Sequence, residues 1–159
     1  YVAINLAASS LFLIGAALLY GVTGTLNMAD LAAKVALVPE ADRGLMEMGA
    51  GVLAVAFLIK AGTWPLGFWL PATYSVASPP GAAIFAIMTK VGIYALLRLS
   101  TLAFGSEAGA SAGLGQMVLL VAGIGTIVFG AIGLEDASAG VQFVLCRGVL
   151  LLWFCHVVQ

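Results

Sequence analysis

Long stretches without a single charge constrain the fold of this chain more than any other feature. Residues 1–22 contain no Asp, Glu, Lys or Arg, and neither do residues 114–134. An α-helix needs about 20 apolar residues to cross the hydrocarbon core of a bilayer. Because no water is available there to bind backbone N–H and C=O groups, a spanning segment pairs them internally, as a helix does. These stretches therefore predict transmembrane helices.

The composition agrees with a lipid environment. Hydrophobic residues make up 63 % of the 159 residues and charged residues only 8 %, whereas a soluble domain carries roughly 25 % charged residues. So few charges cannot cover a water-exposed surface, and we therefore predict that the chain lies in a lipid bilayer. The formal net charge of -1 leaves no basic surface for phosphates, and we expect no nucleic-acid partner.

The hydrophobic pattern predicts an all-α, polytopic transmembrane helix bundle. Five predicted spans cover residues 1–22, 45–70, 81–104, 114–134 and 141–159. The polar connection at 23–44 contains a predicted short interfacial helix at 27–38, because apolar residues recur there at helical spacing. Residues 71–80 and 105–113 are predicted links. The 20 glycines suit close helix packing in a membrane.

Two lysines, Lys60 and Lys90, lie inside these apolar segments. Placing a lysine at the bilayer centre costs about 2.5–3.5 kcal/mol on insertion scales, and such a residue usually marks an ion or proton path. Lys90 is near the middle of its predicted span, from which its ammonium group reaches neither interface easily. The alternative is snorkelling of the side chain to an interface, which stays open for Lys60.

The dipeptide Trp64-Pro65 follows Lys60 by one helical turn. Pro65 removes a backbone donor and clashes with the preceding turn, so we predict a helix break at Trp64 and Pro65. Broken helices in transporters free carbonyl groups beside a hydrated site. Lys60 would then be a proton-binding group next to such a site. The alternative is a helix that simply ends at Pro65.

The sequence offers little other chemistry. It contains no Ser/His/Asp set, no paired catalytic carboxylates, no phosphate-binding loop and no cysteine spacing typical of a metal site. We therefore predict no catalytic residues, no metal and no cofactor, and a transporter rather than an enzyme.

Two lysine-containing motifs resemble the antiporter-like membrane subunits. Residues 57–71 read FLIKAGTWPLGFWLP and resemble the broken seventh helix of this family, which includes proton-pumping subunits of respiratory complex I and large subunits of Mrp/Pha cation/proton antiporters. Residues 83–98 read AIFAIMTKVGIYALLR and resemble its eighth helix. The sequences NLAASS at 5–10 and LYGVTGTLNMAD at 19–30 are most similar to the D-type subunits of the Mrp/Pha antiporters.

The resemblance implies that residues 1–134 are helices six to nine of a fourteen-helix subunit. Lys60 would be the central proton-relay lysine, and Lys90 would pass protons along the mid-membrane polar axis. The implied function is proton and Na⁺ or K⁺ translocation by a D-type subunit, together with the other subunits of a multisubunit antiporter in a bacterial inner (cytoplasmic) membrane. Family topology implies a periplasmic location for residues 23–44.

Two alternatives remain open at this point. The chain could be a proton-pumping membrane subunit of complex I or of a related hydrogenase. It could also be a non-functional gene fragment, because it has no initiator methionine and an unusual C-terminal segment. The family's fifth helix carries a glutamate that partners Lys60, and the chain begins after that helix, so the implied relay is incomplete. Residues 135–159 match the family poorly and are interpreted as an atypical apolar segment, for which a frameshift is one explanation.

Overall fold

The computed structural model describes residues 2–105 and 115–132, and all regular secondary structure in these ranges is helical. These two ranges contain six α-helices: α1 (Val2–Thr23), α2 (Met28–Val35), α3 (Glu40–Ala61), α4 (Trp69–Val76), α5 (Pro79–Arg98) and α6 (Gln116–Ile132). A five-residue π-helical turn, Leu99–Ala103, directly follows α5. The predicted all-α class is confirmed. The predicted segment 135–159, with the span 141–159, lies outside the described residues.

The structure corrects the predicted boundaries at two places. The second predicted span begins too late, because α3 begins at Glu40 rather than at residue 45; α3 then ends at Ala61, so the span is interrupted, as the predicted break requires. The predicted link at 71–80 is wrong, because α4 occupies Trp69–Val76. Pro71 is compatible with α4 because it lies in the first turn, where a backbone N–H has no partner within the helix.

Helices α1 and α3 are long and apolar enough to cross a membrane. Many large apolar side chains on the described helices are exposed, among them Leu6, Leu13 and Ile87. In water such a surface would drive association, whereas in a bilayer it meets hydrocarbon. Length, composition and surface are those expected of a membrane protein.

The described residues form two compact units, which both include parts of α3 and α5. The first unit contains residues 2–57, 94–105 and 115, and the second unit contains residues 58–93 and 116–132. The first unit has an apolar core drawn from α1, α2, α3 and the π-helical turn. Its buried members are Leu19, Leu31, Val35, Val38, Met46, Ala50, Leu53, Leu99 and Phe104.

Helix α2 forms where the sequence predicts the interfacial helix. The Asn27 side chain caps it by accepting a hydrogen bond from the Ala29 N–H at 3.2 Å. Its apolar face packs on the π-helical turn, and its polar face carries an ion pair between Lys34 and Asp30 at 3.1 Å. The hydrogen bond from Lys34, followed by one from Thr25, holds the pKa of the exposed Asp30 carboxyl below its ordinary value.

Candidate functional site at the end of helix α3

Lys60 is the last residue but one of α3, and its side chain is half-buried. The helix ends because Gly62 adopts a left-handed conformation, with φ of +63°. The Gly62 N–H donates to the Ile59 carbonyl at 3.0 Å and the Thr63 N–H donates to the Leu58 carbonyl at 3.2 Å. This pair of bonds is the Schellman motif. The helix therefore ends at a glycine, three residues before the proline on which the sequence prediction rests.

The chain between α3 and α4 makes a compact turn through residues 62–68, which includes the cis peptide between Trp64 and Pro65. Gly67 lies directly on the Gly62 backbone, because a Cβ atom placed on Gly67 would overlap the Gly62 carbonyl oxygen. The Leu70 N–H donates to the Gly67 carbonyl at 3.0 Å. Residues 62–68 are thus a short interruption between two helices, because a helix resumes at Trp69.

Side chains also bind the carbonyl groups at the end of α3. The Thr63 hydroxyl donates to the Leu58 carbonyl at 3.2 Å, and the Trp69 indole N–H donates to the Ile59 carbonyl at 3.2 Å. An unpaired carbonyl away from water costs several kcal/mol, so these bonds suit a helix end inside a membrane. The partial negative charge of a helix C-terminus also favours a cation there, by roughly 0.3–1 kcal/mol, and Lys60 is the basic residue in this last turn.

Helix α6 holds the interruption from one side. The Trp64 N–H donates to the Thr126 hydroxyl oxygen at 2.9 Å, and that hydroxyl donates to the Ala122 carbonyl at 2.6 Å. Thr126 is only 1 % exposed. Its neighbour Gly125 leaves room for the Trp64 indole, because a Cβ atom on Gly125 would lie 2.6 Å from the ring atom Cε3.

Helix α5 meets the end of α3 at Gly92. A Cβ atom on Gly92 would lie 3.0 Å from the Ala61 nitrogen and 3.4 Å from the Lys60 carbonyl carbon. This close approach brings together the backbones that carry the two predicted lysines. Lys90 lies about 200° around the helix from Gly92, and its side chain is exposed. The two helices therefore meet, while Lys90 is on a different face of α5 from the one that packs on α3.

A cavity of about 80 Å³ adjoins the interruption. A single water needs roughly 10–15 Å³ of such space, so several waters would fit. The lining residues are aromatic or small, and none is charged. They are Gly62, Trp64, Pro65, Gly67, Phe68, Thr126 and Phe129.

The two lysines are visible in the sequence, whereas the residues that contact the end of α3 and the turn after it are not. Gly92, Gly125 and Thr126 stand in apolar segments, where small residues are common and carry no specific signal. Thr126 contacts a residue 62 positions away in the chain, so its partner is not visible in local sequence. Gly62, which follows Ala61, is a local signal for the end of α3, because glycine is the residue typical of a helix end.

The helical fold, the exposed apolar surface and the two helices long enough to cross a bilayer are those of a polytopic membrane protein. The family described as NADH:quinone oxidoreductase/Mrp antiporter, transmembrane, matches residues 1–139. The chain belongs to this family, which confirms the resemblance found in the two lysine motifs.

Relatives carry the names of antiporter subunits. The chain is 54 % identical over 156 residues to the D subunit of a probable K⁺/H⁺ antiporter from Rhizobium meliloti, covering 95 % of this chain and 29 % of that protein. It is 44 % identical over 134 residues to the D subunit of a Na⁺/H⁺ antiporter from Alkalihalophilus pseudofirmus, covering 84 % of this chain and 26 % of that protein. The chain thus spans less than a third of the length of these relatives.

A solved structure, that of the Mrp complex from a Dietzia species, has the same fold. The match has a TM-score of 0.79 and 30 % sequence identity, and covers 98 % of this chain and 28 % of the matched chain.

Proposed function

We propose that this chain is the lysine-bearing, proton-translocating part of a D-type subunit in a multisubunit Na⁺ or K⁺/proton antiporter of a bacterial cytoplasmic membrane. The observation that carries the proposal is the helix end at Lys60, where α3 stops inside an apolar sequence and a helix resumes at Trp69. The names of the relatives support the cation/proton exchange and the presence of partner subunits.

Lys60 suits a proton-binding role because of its position at a helix end. The partial negative charge there favours a cation, whether the ammonium group of Lys60 or a nearby Na⁺ or K⁺. Two unit charges about 8 Å apart repel by roughly 2 kcal/mol at an effective dielectric constant of about 20. That energy changes a protonation equilibrium more than tenfold. A proton on Lys60 and a metal cation close to it would therefore compete, which is the coupling that exchange requires.

Lys90 is proposed as a separate step in the proton path. Gly92 brings its helix against the end of α3, but Lys90 itself lies on another face of α5. A proton would consequently move between Lys60 and Lys90 through an intermediate group or water, and continue from Lys90 along the membrane plane.

The test is Lys60→Ala in the full-length subunit of the assembled antiporter. We expect loss of Na⁺- or K⁺-driven proton movement in inverted vesicles, because alanine binds no proton. Lys90→Ala should also strongly reduce the exchange. Lys34→Ala is the matched control, since Lys34 is in the exposed ion pair of α2, and such pairs contribute only about 0–1 kcal/mol. Unchanged exchange by Lys60→Ala, at equal abundance in the membrane, would refute the proposal.

A second candidate, a proton-pumping subunit of a complex I-type enzyme, is favoured by the other half of the family description. The two candidates differ in what drives the protons. A redox-linked subunit moves protons only while its complex reduces a quinone, whereas the antiporter subunit responds to an imposed Na⁺ or K⁺ gradient in vesicles that contain no redox substrate.

A further inference from the structure

We infer that Thr126 is a positioning residue for Lys60, acting through a hydrogen bond to the backbone of the helix interruption. The inference rests on the proposed function, because it gives Lys60 the proton-binding role. Thr126 is in α6, and it does not belong to either lysine motif.

The hydroxyl of Thr126 joins two backbones. It accepts a hydrogen bond from the Trp64 N–H at 2.9 Å and donates one to the Ala122 carbonyl at 2.6 Å. A threonine in a helix commonly donates to a carbonyl of its own preceding turn. The hydrogen bond from Trp64 is not of this local type. It connects α6 to the segment after α3, where the Trp64 N–H has no partner within a helix.

The hydrogen bond from Trp64 to Thr126 affects the position of Lys60 because the backbone between Lys60 and Trp64 is itself held in place. Gly62 and Thr63 are held by the Schellman motif, whose acceptors are carbonyls in the last turn of α3. Gly92 of α5 also leaves no free space against the Ala61 backbone. The end of α3 therefore packs on α5, and the turn that follows α3 is hydrogen-bonded to α6 through the Thr126 hydroxyl.

Because Thr126 is buried, loss of its hydroxyl group should have a larger effect than loss of an exposed one. With 1 % of the residue exposed, bulk water does not replace a lost hydrogen bond easily. Valine has nearly the same shape but neither donates nor accepts, so Thr126→Val leaves the Trp64 N–H without this acceptor. Serine keeps the hydroxyl and lacks only the methyl group. The two substitutions separate hydrogen bonding from packing.

The experiment compares Thr126→Val and Thr126→Ser in the complete antiporter, with the pH dependence of cation-driven proton exchange measured in inverted vesicles. We expect Thr126→Val to lower the exchange rate roughly two- to tenfold, as loss of one hydrogen bond allows, and to move the midpoint of the pH profile by about 0.5 unit or more. Thr126→Ser should restore both the rate and the midpoint.

The matched control is Thr73→Val in α4. The Thr73 hydroxyl donates to the Trp69 carbonyl of its own helix at 2.7 Å, so this substitution removes a threonine hydroxyl from the same unit without releasing the Trp64 N–H. Its pH midpoint should not move. An unchanged pH midpoint in Thr126→Val would overturn the inference, and so would a Thr126→Ser variant that behaves like Thr126→Val.

If Thr126→Val does not accumulate in the membrane, Thr126→Cys and Thr126→Ser decide instead. A thiol is a weaker hydrogen-bonding group than a hydroxyl, so the midpoint should shift further in Thr126→Cys than in Thr126→Ser. Equal midpoints in the two would overturn the inference. Failure here is distinct from failure of the proposed function, because Lys60→Ala would still abolish exchange if only the role of Thr126 were wrong.

Discussion

At the scale of single residues, Gly62 decides where α3 ends. Its φ of +63° is costly for any residue with a Cβ atom, by roughly 1–2 kcal/mol. We expect Gly62→Ala to lower the thermal stability of the detergent-solubilised complex. Gly62→Asn should lower it less, because asparagine tolerates the left-handed region. A fluorescence-monitored melting curve measures both.

Gly44→Ala is the control for this prediction. Gly44 also belongs to α3, and nothing lies within 4 Å of a Cβ atom placed there, so alanine should be neutral or slightly stabilising. If Gly62→Ala melted at the same temperature as Gly44→Ala, the left-handed glycine would not be what ends the helix.

The same scale shows what a sequence can reveal about a site. Lys60 and Lys90 are visible because a charge inside an apolar segment is costly wherever the segment folds. Pro65 is visible too, yet the helix ends before reaching it, because a glycine that adopts a positive φ supplies an earlier C-cap. The contribution of Thr126 depends on a tertiary contact, and that contact cannot be predicted from the residues next to Thr126 in the sequence.

At the scale of helices, α1 and α3 approach each other through glycines. A Cβ atom on Gly15 would lie 2.8 Å from the Leu53 nitrogen, and one on Gly49 would lie 2.9 Å from the Leu18 Cβ. Backbones that approach so closely gain packing contacts that larger residues would prevent. The glycine content read from the sequence predicts such contacts in general, but the particular glycines are known only from the structure.

We expect Gly15→Ala to destabilise this helix pair by about 1–3 kcal/mol, the usual cost of overpacking. Gly21→Ala in the same helix is the matched control, because a Cβ atom on Gly21 meets nothing within 4 Å, and alanine there should gain up to about 1 kcal/mol of helix propensity. Melting temperatures of the two variants in detergent give the comparison. Equal temperatures would mean that α1 and α3 do not pack through Gly15.

Helix α4 is the element that the sequence conceals. Pro71 and the pair Pro79-Pro80 suggest a link, because proline is read as a helix breaker. In the structure Pro71 lies in the first turn of α4, and Pro79 and Pro80 begin α5. Prolines fit those positions, since first-turn N–H groups have no partner in the helix. Several prolines close together do not by themselves indicate a link, because prolines in a first turn are compatible with the start of a helix.

At the scale of the whole molecule, composition is sufficient to predict a helical membrane protein, and two lysine motifs are sufficient to predict its family. Orientation in the membrane is a different matter. Lys34 and Arg43 lie in the connection at 23–44 together with three acidic residues, Asp30, Glu40 and Asp42. Positive charge in that connection favours the cytoplasmic side, whereas the resemblance implies the periplasmic side.

Labelling of an exposed cysteine decides between the two sides. Leu37, between α2 and α3, is 80 % exposed, and Leu37→Cys should react with a membrane-impermeant maleimide in right-side-out vesicles if the connection is periplasmic. Cys146 and Cys155 are first replaced by serine in all variants. Leu13→Cys is the control, because Leu13 is 66 % exposed in the middle of α1, where lipid should shield it from the reagent. Labelling of Leu37→Cys only in inverted vesicles would place residues 23–44 in the cytoplasm and contradict the topology that the resemblance implies.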